Sequence, residues 1–418
     1  MDLATLTEAW WRGEARGPVT LAPDDAVLGE VAPGVAFVTG FGNVTALATS
    51  EGLVLVDSGS TYGAPPILAA LREWSGEPVH TLVYSHGHVD HVFGAHLLDA
   101  EAEAAGRPRP RVVAHENVLA RFARYTTSAG YNEIVNQRQF SLPELRWRTD
   151  FRLPDLTYRE ALDLEVGGAR LALRHARGET DDATITWLPD HRVLAAGDLF
   201  VWSSPNAGNP QKALRDPGAW ARALREMSSL GAEVLLPGHG VPILGADRVE
   251  RALDETAEYL EHLVAATLSL MNEGATFAEV LANVHPPAHL AERPYLQPVY
   301  DEPEFVLHNV WRLYGGWWDG DPASLHPAPP RERAHDLLEL AGGVAPVLER
   351  VNDLIERGDD AALRRAGHLV EALWADDPGG PGVAAARERL YRARARAATS
   401  TMAKGVYRAA ARESRDLG

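Results

Sequence analysis

The chain contains no cysteine. That absence excludes disulfides, thiol nucleophiles, cysteine-ligated zinc fingers and iron–sulfur clusters. Long apolar runs are missing too. No stretch reaches the roughly 18 residues a membrane span needs, so no transmembrane helix is expected. The opening segment, Met1 to Pro18, has no basic region followed by an apolar one, so no secretory signal is expected and the default location is cytoplasmic. Positive charge is in deficit. Forty Lys and Arg stand against 58 Asp and Glu, for a net charge of −18. Such a balance argues against a nucleic-acid partner unless the cations cluster. They cluster only over 381–418, with nine Lys and Arg against three Asp and Glu. Their helical spacing there reads as a solvated helix face, not a nucleic-acid or membrane contact.

The remaining composition is that of a globular protein. Its 418 residues, 45% hydrophobic and 23% charged, are enough for two or three domains with full cores. Over residues 1–245, strand and helix signals alternate. β-rich runs lie at Val35–Thr39, Asn43–Thr49, Leu53–Asp57 and His80–Tyr84, then at Ala161–His175, Ala183–Leu188, Val193–Ala196 and Glu233–Leu236. Helical patterns fall at Ala64–Trp74, around Val92–Ala105 and at Pro217–Leu230. Strands mixed with helices in this way predict sheets covered by helices. Over 246–418 strand signals vanish. Helices are expected at Asp247–Asn272, Glu302–Tyr314, Arg331–Leu340, Val344–Arg357, Ala361–Trp374 and Ala384–Ala398, with Gly and Pro between them. Asn283–Pro303, with five prolines, is expected to be irregular. The division predicted is a mixed α/β domain over 1–245 and an all-helical one over 246–418.

The strongest chemical signal is His86-Gly87-His88-Val89-Asp90-His91, directly after the apolar strand Thr81–Tyr84. Four potential ligands within six residues, at a strand end, can fold around a common centre. Imidazole and carboxylate donors suit zinc and similar divalent ions. The string resembles the metal-binding motif of the metallo-β-lactamase superfamily, and further pieces follow in order. Leu53–Gly59 is similar to the family's strand-and-Asp motif, which makes Asp57 a partner that orients a ligand histidine. Gly178–Asp182 stands where the family has Gly-His-Thr. Ala196-Gly197-Asp198 resembles the bridging carboxylate, and Pro237-Gly238-His239-Gly240 the final histidine loop. The resemblance covers about 35–245. It implies an αββα sandwich with two metal ions, zinc first, iron or manganese as alternatives. One ion is expected on His86, His88 and Glu179, the other on Asp90, His91 and His239, with Asp198 between them.

Glu179 departs from the superfamily's usual histidine. Carboxylate oxygen binds zinc at about the distance of imidazole nitrogen, although nearby His175 is an alternative donor. A Glu at this position, nineteen residues before Asp198, resembles the alkylsulfatase branch. It costs charge: two divalent ions against Glu179, Asp90, Asp198 and a bridging hydroxide leave a neutral centre. Neighbouring cations and amides must then hold an anionic substrate.

A second resemblance lies in the helical region. Asn309-Val310-Trp311-Arg312-Leu313-Tyr314-Gly315-Gly316-Trp317-Trp318-Asp319-Gly320-Asp321-Pro322 is similar to the alkylsulfatase dimerisation domain. It implies a homodimer, with Trp311, Trp317 and Trp318 packing a domain or subunit interface. The same family places a sulfate-holding Asn and Arg after the bridging carboxylate. Asn206 falls at the matching offset, and the Arg position falls at Gln211 or Lys212; a lysine carries charge without a bidentate fork. Asn206 and Asn209 read equally well as turn formers between prolines. Tyr131 and Arg138 are candidates to close over the pocket. The chain stops at Gly418, about where the family's lipid-carrier-like domain would begin, so long-chain substrates are less expected. The function these features imply is a dinuclear zinc hydrolase of small alkyl sulfates or related esters, using a metal-activated water. Hydrolysis of another ester, lactone, thioester or phosphoester is the alternative on the same metals, and a non-catalytic metal-binding scaffold is the reading from another class.

Overall fold

The computed structural model describes residues 2–14 and 26–417. Thirteen strands form two sheets among the described residues. The first sheet runs in chain order: Leu28–Ala32 (β1), Val35–Val38 (β2), Val44–Thr49 (β3), Gly52–Val56 (β4), Val79–Val83 (β5), Arg111–His115 (β6) and Leu156–Tyr158 (β7). The second contains Ala161–Val166 (β8), Ala169–Ala176 (β9), Ala183–Leu188 (β10), Val193–Val201 (β11), Val234–His239 (β12) and Ile243–Leu244 (β13). Strands β4, β5, β6 and β7 run parallel, as do β11 and β12. The other neighbours pair antiparallel.

Period-2 alternation explains the layers. Val35, Phe37, Val54 and Val56 face inward and meet Leu171, Leu173, Val193 and Val234 of the other sheet. Ala36, Val38, Leu53 and Leu55 point outward to Ile67 and Leu71 of helix Ala64–Trp74 and Leu98 of helix Ala95–Ala104. Behind the second sheet, Ile185, Leu194 and Ala196 meet Trp220 and Leu224 of helix Pro217–Ser229. The expected αββα sandwich is the architecture found.

The chain also forms two compact units. One compact unit comprises 1–129 and 148–317; the other comprises 130–147 and 318–418. Helix Ala246–Asn272 buries Val249, Leu253, Leu260 and Leu263 in the same core as Trp220 and Leu235. Helix Pro303–Gly315 adds Val306, Leu307 and Val310. An amphipathic helix announces that it covers something, but not what. Between these helices, 284–302 is irregular apart from two short turns, with Leu290, Tyr295 and Leu296 buried.

The second unit contains helices Pro330–Leu340, Val344–Arg357, Asp360–Asp376, Val383–Ala397 and Thr401–Leu417 around Leu338, Val351, Leu363, Val370 and Leu390. Gly405 lies so close to the Gln139 backbone that a Cβ would collide with it, which ties 130–147 to the last helix.

Candidate metal centre

The loop after β5 does what its sequence suggests. Parallel strands open their carboxyl ends to loops that can converge on a ligand. His86 and His88 lie in that loop, and Asp90 and His91 in the short helix Val89–Val92 after it. Glu179 comes from the turn between β9 and β10, Asp198 from within β11 and His239 from the end of β12. Donor atoms of His86, His88, Glu179 and Asp198 lie within 4.8 Å of one another, and so do those of Asp90, His91 and His239. Asp198 faces both groups. Its Oδ2 is 3.5 Å from His86 Nε2 and 3.8 Å from His88 Nδ1. Its Oδ1 is 3.4 Å from both His91 Nε2 and His239 Nε2.

The hydrogen bonds behind the cluster settle the histidine tautomers. A carboxylate only accepts, so Asp57 Oδ2 takes the Nδ1 proton of His91 at 2.8 Å and the Ser85 hydroxyl proton at 2.7 Å. Ser85 Oγ, its one proton spent, accepts from His86 Nδ1 at 2.9 Å. In the neutral form of each ring, Nδ1 then carries the proton and Nε2 is the donor atom aimed into the cluster. Neither Nε2 has a hydrogen-bond partner, and nor does Asp198 Oδ1, although all are buried. Buried polar atoms without partners are costly. Lone pairs converging from imidazole and carboxylate are the donor set a divalent cation satisfies, so the residues fit a metal.

Asp182 Oδ2 accepts from Gly87 N at 3.0 Å and from Arg121 Nε at 2.7 Å, pinning the backbone between His86 and His88. Burial raises the pKa of Asp182, but the Arg121 guanidinium outweighs it and holds the carboxyl well below its ordinary value. Burial pushes Glu179 up to about 8, against the pull of Arg215, whose Nη1 lies 2.8 Å from Glu179 Oε1. Gly238 packs so tightly on Asp198 that a Cβ there would overlap its carboxylate.

His175 is not part of the cluster. Its Nε2 donates to the Asp181 carbonyl at 3.0 Å and its ring stacks on His115, centroids 3.8 Å apart. Asn206 is brought to the centre, where its Nδ2 donates to Glu179 Oε1. Lys212 is close enough for the charges of Asp90 and Glu179 to act on it; burial and then Arg215 lower its pKa to about 8. Gln211 and Asn209 sit in the same loop, where Asn209 Oδ1 accepts from Gln211 N at 2.9 Å, a local turn contact. Tyr131 and Arg138 belong to the other compact unit, on helix Ala129–Phe140, with Tyr131 exposed. Trp311 packs on Phe277, centroids 5.3 Å apart, in the chain's own core, while Trp317 and Trp318 are 64% and 42% exposed. Two residues escaped the sequence reading. Arg215 is a lone arginine in a loop, and Tyr300, whose hydroxyl pKa is raised by burial and then by Glu179 and Asp90, stands among polar and proline residues.

Residues 38–239 match the metallo-beta-lactamase superfamily, and residues 276–416 match alkyl sulfatase dimerisation. The chain carries a metallo-beta-lactamase superfamily domain joined to an alkyl sulfatase dimerisation domain. Alkylsulfatases are among its curated relatives. A linear primary-alkylsulfatase from a Pseudomonas species is 30% identical over 330 residues, 74% of this chain and 62% of that protein. An (R)-specific secondary-alkylsulfatase, also from Pseudomonas, is 29% identical over 359 residues, 79% of this chain and 54% of that one. The chain thus spans little more than half the length of these relatives. Among solved structures, a double mutant of the sec-alkyl sulfatase PisA1 superposes with a TM-score of 0.83 at 25% identity, covering 94% of this chain and 66% of that one.

Proposed function

We propose that this protein is a dinuclear zinc hydrolase of alkyl sulfates or related small anionic esters, with iron or manganese as alternative metals. The observation that carries the reading is Asp198, whose two oxygens face two separate donor clusters. His86, His88 and Glu179 would hold one ion and Asp90, His91 and His239 the other, with Asp198 reaching both. Two divalent ions supply Lewis acidity and bring the pKa of water toward neutrality.

The chain's own groups do the rest. Asp57 and Ser85 keep the Nδ1 protons of His91 and His86 away from the cluster. The Asn206 amide and the Lys212 ammonium hold the sulfate group, Lys212 as a point charge without a fork. The relatives' names, primary and secondary alkylsulfatases, support the substrate class. The helical region, with Trp317 and Trp318 exposed on it, pairs two copies of the chain. Light scattering at micromolar concentration should then give twice 45.4 kDa.

The test is sulfate release by zinc-loaded protein from p-nitrophenyl sulfate and alkyl sulfates of several lengths, beside lactones, thioesters and phosphodiesters. Sulfate release that Asp198→Asn abolishes supports the proposal. Turnover of the other esters alone would replace the substrate class, and metal binding with no turnover would leave a scaffold. Solvent labelled with heavy oxygen assigns carbon–oxygen or sulfur–oxygen cleavage.

A further inference from the structure

Residues 202–216 carry Asn206, Lys212 and Arg215, yet contain neither helix nor strand. The segment is held from outside. Ser204 Oγ meets the Tyr259 hydroxyl at 3.0 Å, and Ser204 N donates to the Gln297 carbonyl at 2.9 Å. Gly208 N donates to Asp301 Oδ2 at 2.8 Å. Asn309 closes a two-way clamp: its Oδ1 accepts from Arg215 N at 3.2 Å and its Nδ2 donates to Arg215 O at 2.6 Å. All four partners lie between 246 and 317, beyond the sheets. Arg215 then sets Nη1 on Glu179 Oε1, with 6% of each side chain exposed, and also donates to the Asn206 carbonyl.

We infer that Arg215, set in place by Asn309, is a positioning residue for the metal centre, aiming the Glu179 carboxylate and returning the positive charge that a glutamate in a histidine's place removes. The inference rests on the proposed metal binding at the His86–His88–Glu179 cluster. Two donors on one oxygen, from Arg215 and from Asn206, fix the rotation of the carboxylate. A buried guanidinium beside a buried carboxylate also makes the pair neutral, as an imidazole ligand is. Asn309, part of the segment that matches alkyl sulfatase dimerisation, thereby acts on the metal site of its own chain.

The alternative is that Arg215 merely neutralises a buried acid, and a double-mutant cycle separates the two. Zinc affinity is measured by competition with a chromophoric chelator for the unaltered protein, Arg215→Met, Glu179→His and the double variant. Arg215→Met should weaken zinc binding about 10–100-fold, the usual cost of losing a group behind a ligand. In the Glu179→His background the same change should cost less than about threefold, since no carboxylate is left to position. Equal losses in both backgrounds, or none in either, overturn the inference. Asn309→Ala touches no ligand; it should weaken zinc in the same direction by a smaller factor, again only when Glu179 is present. Should Arg215→Met fail to fold, seen as loss of its metal-free unfolding transition, the Asn309→Ala pair decides alone. Less than one equivalent of zinc on the unaltered protein would defeat the proposed function and this inference together. Normal zinc binding without coupling defeats the inference only.

Discussion

Asp57 holds His91 from a backbone position that few aspartates occupy. Its Oδ2 accepts the His91 Nδ1 proton at 2.8 Å while its own φ is 65°. The left-handed region costs a residue with a Cβ about 1–2 kcal/mol. Its carboxylate also receives Ser85 N at 2.7 Å through the other oxygen, so a single residue orders His91 directly and His86 through Ser85. Asn tolerates the same backbone and has the same shape, but one of its two polar ends donates. Asp57→Asn should therefore fold with little change in metal-free unfolding temperature. Its zinc affinity should fall about 10–100-fold. Isothermal titration of metal into the apo-protein checks this, and unchanged affinity would remove Asp57 from the centre.

Asp198 makes the sharpest demand on stoichiometry. With Oδ1 toward His91 and His239 and Oδ2 toward His86 and His88, its loss touches both clusters. Asp198→Asn replaces an anionic donor by a neutral amide. The expected outcome is loss of at least one of two metal equivalents by elemental analysis, together with hydrolase activity. Two equivalents retained would mean that the clusters bind independently.

Asp301 sets a pH dependence away from the ligands. It is fully buried, and burial raises its pKa to about 7, above the 3.8 of a free aspartate, despite hydrogen bonds from Gly208 and Glu302. Below about pH 4 it is neutral in both folded and unfolded chains. As pH rises toward 7 the unfolded chain ionises first, so Asp301 subtracts stability across that window, roughly 4 kcal/mol by its upper end. Carbon-detected NMR of the Asp301 carboxyl should show a midpoint near 7. A midpoint below 5 refutes this.

A chain ending at residue 245 should not fold. It would strip Val249, Leu253, Leu260, Val306 and Val310 from the core behind the second sheet and expose Trp220 and Leu235. Each large side chain laid bare forfeits about 1.5–3 kcal/mol, and a handful of those equals a domain's whole stability. Circular dichroism and gel filtration of the fragment should show an unfolded or aggregated species. A monomer with a cooperative melt would show that 1–245 folds without these helices.

What was legible in the sequence was local. His86, His88, Asp90 and His91 sit within one turn of chain, and Glu179, Asp198 and His239 were placed by motif resemblance; the structure brings all seven together. Helices Ala64–Trp74 and Val344–Arg357 fall where their periodicity put them. Arg215 was not legible, because its partners Asn309 and Glu179 lie 94 and 36 positions away and nothing periodic links them. What helix Ala246–Asn272 packs on was not legible for a related reason: its apolar stripe was plain, but the surface it covers is assembled from Trp220, Leu235 and their neighbours earlier in the chain.

Fixing an irregular segment at a few points has an effect on what can vary. Ser204, Gly208 and Arg215 are tied to residues between 246 and 317, while Lys212 and the exposed Pro210, Ala213 and Leu214 stand between the ties. That stretch works as a cassette. Its intervening residues can be exchanged to favour another leaving group without unpicking either sheet, provided the tethers stay. Libraries aimed at new substrates would do best to randomise those positions and leave Asn309 and Asp301 alone.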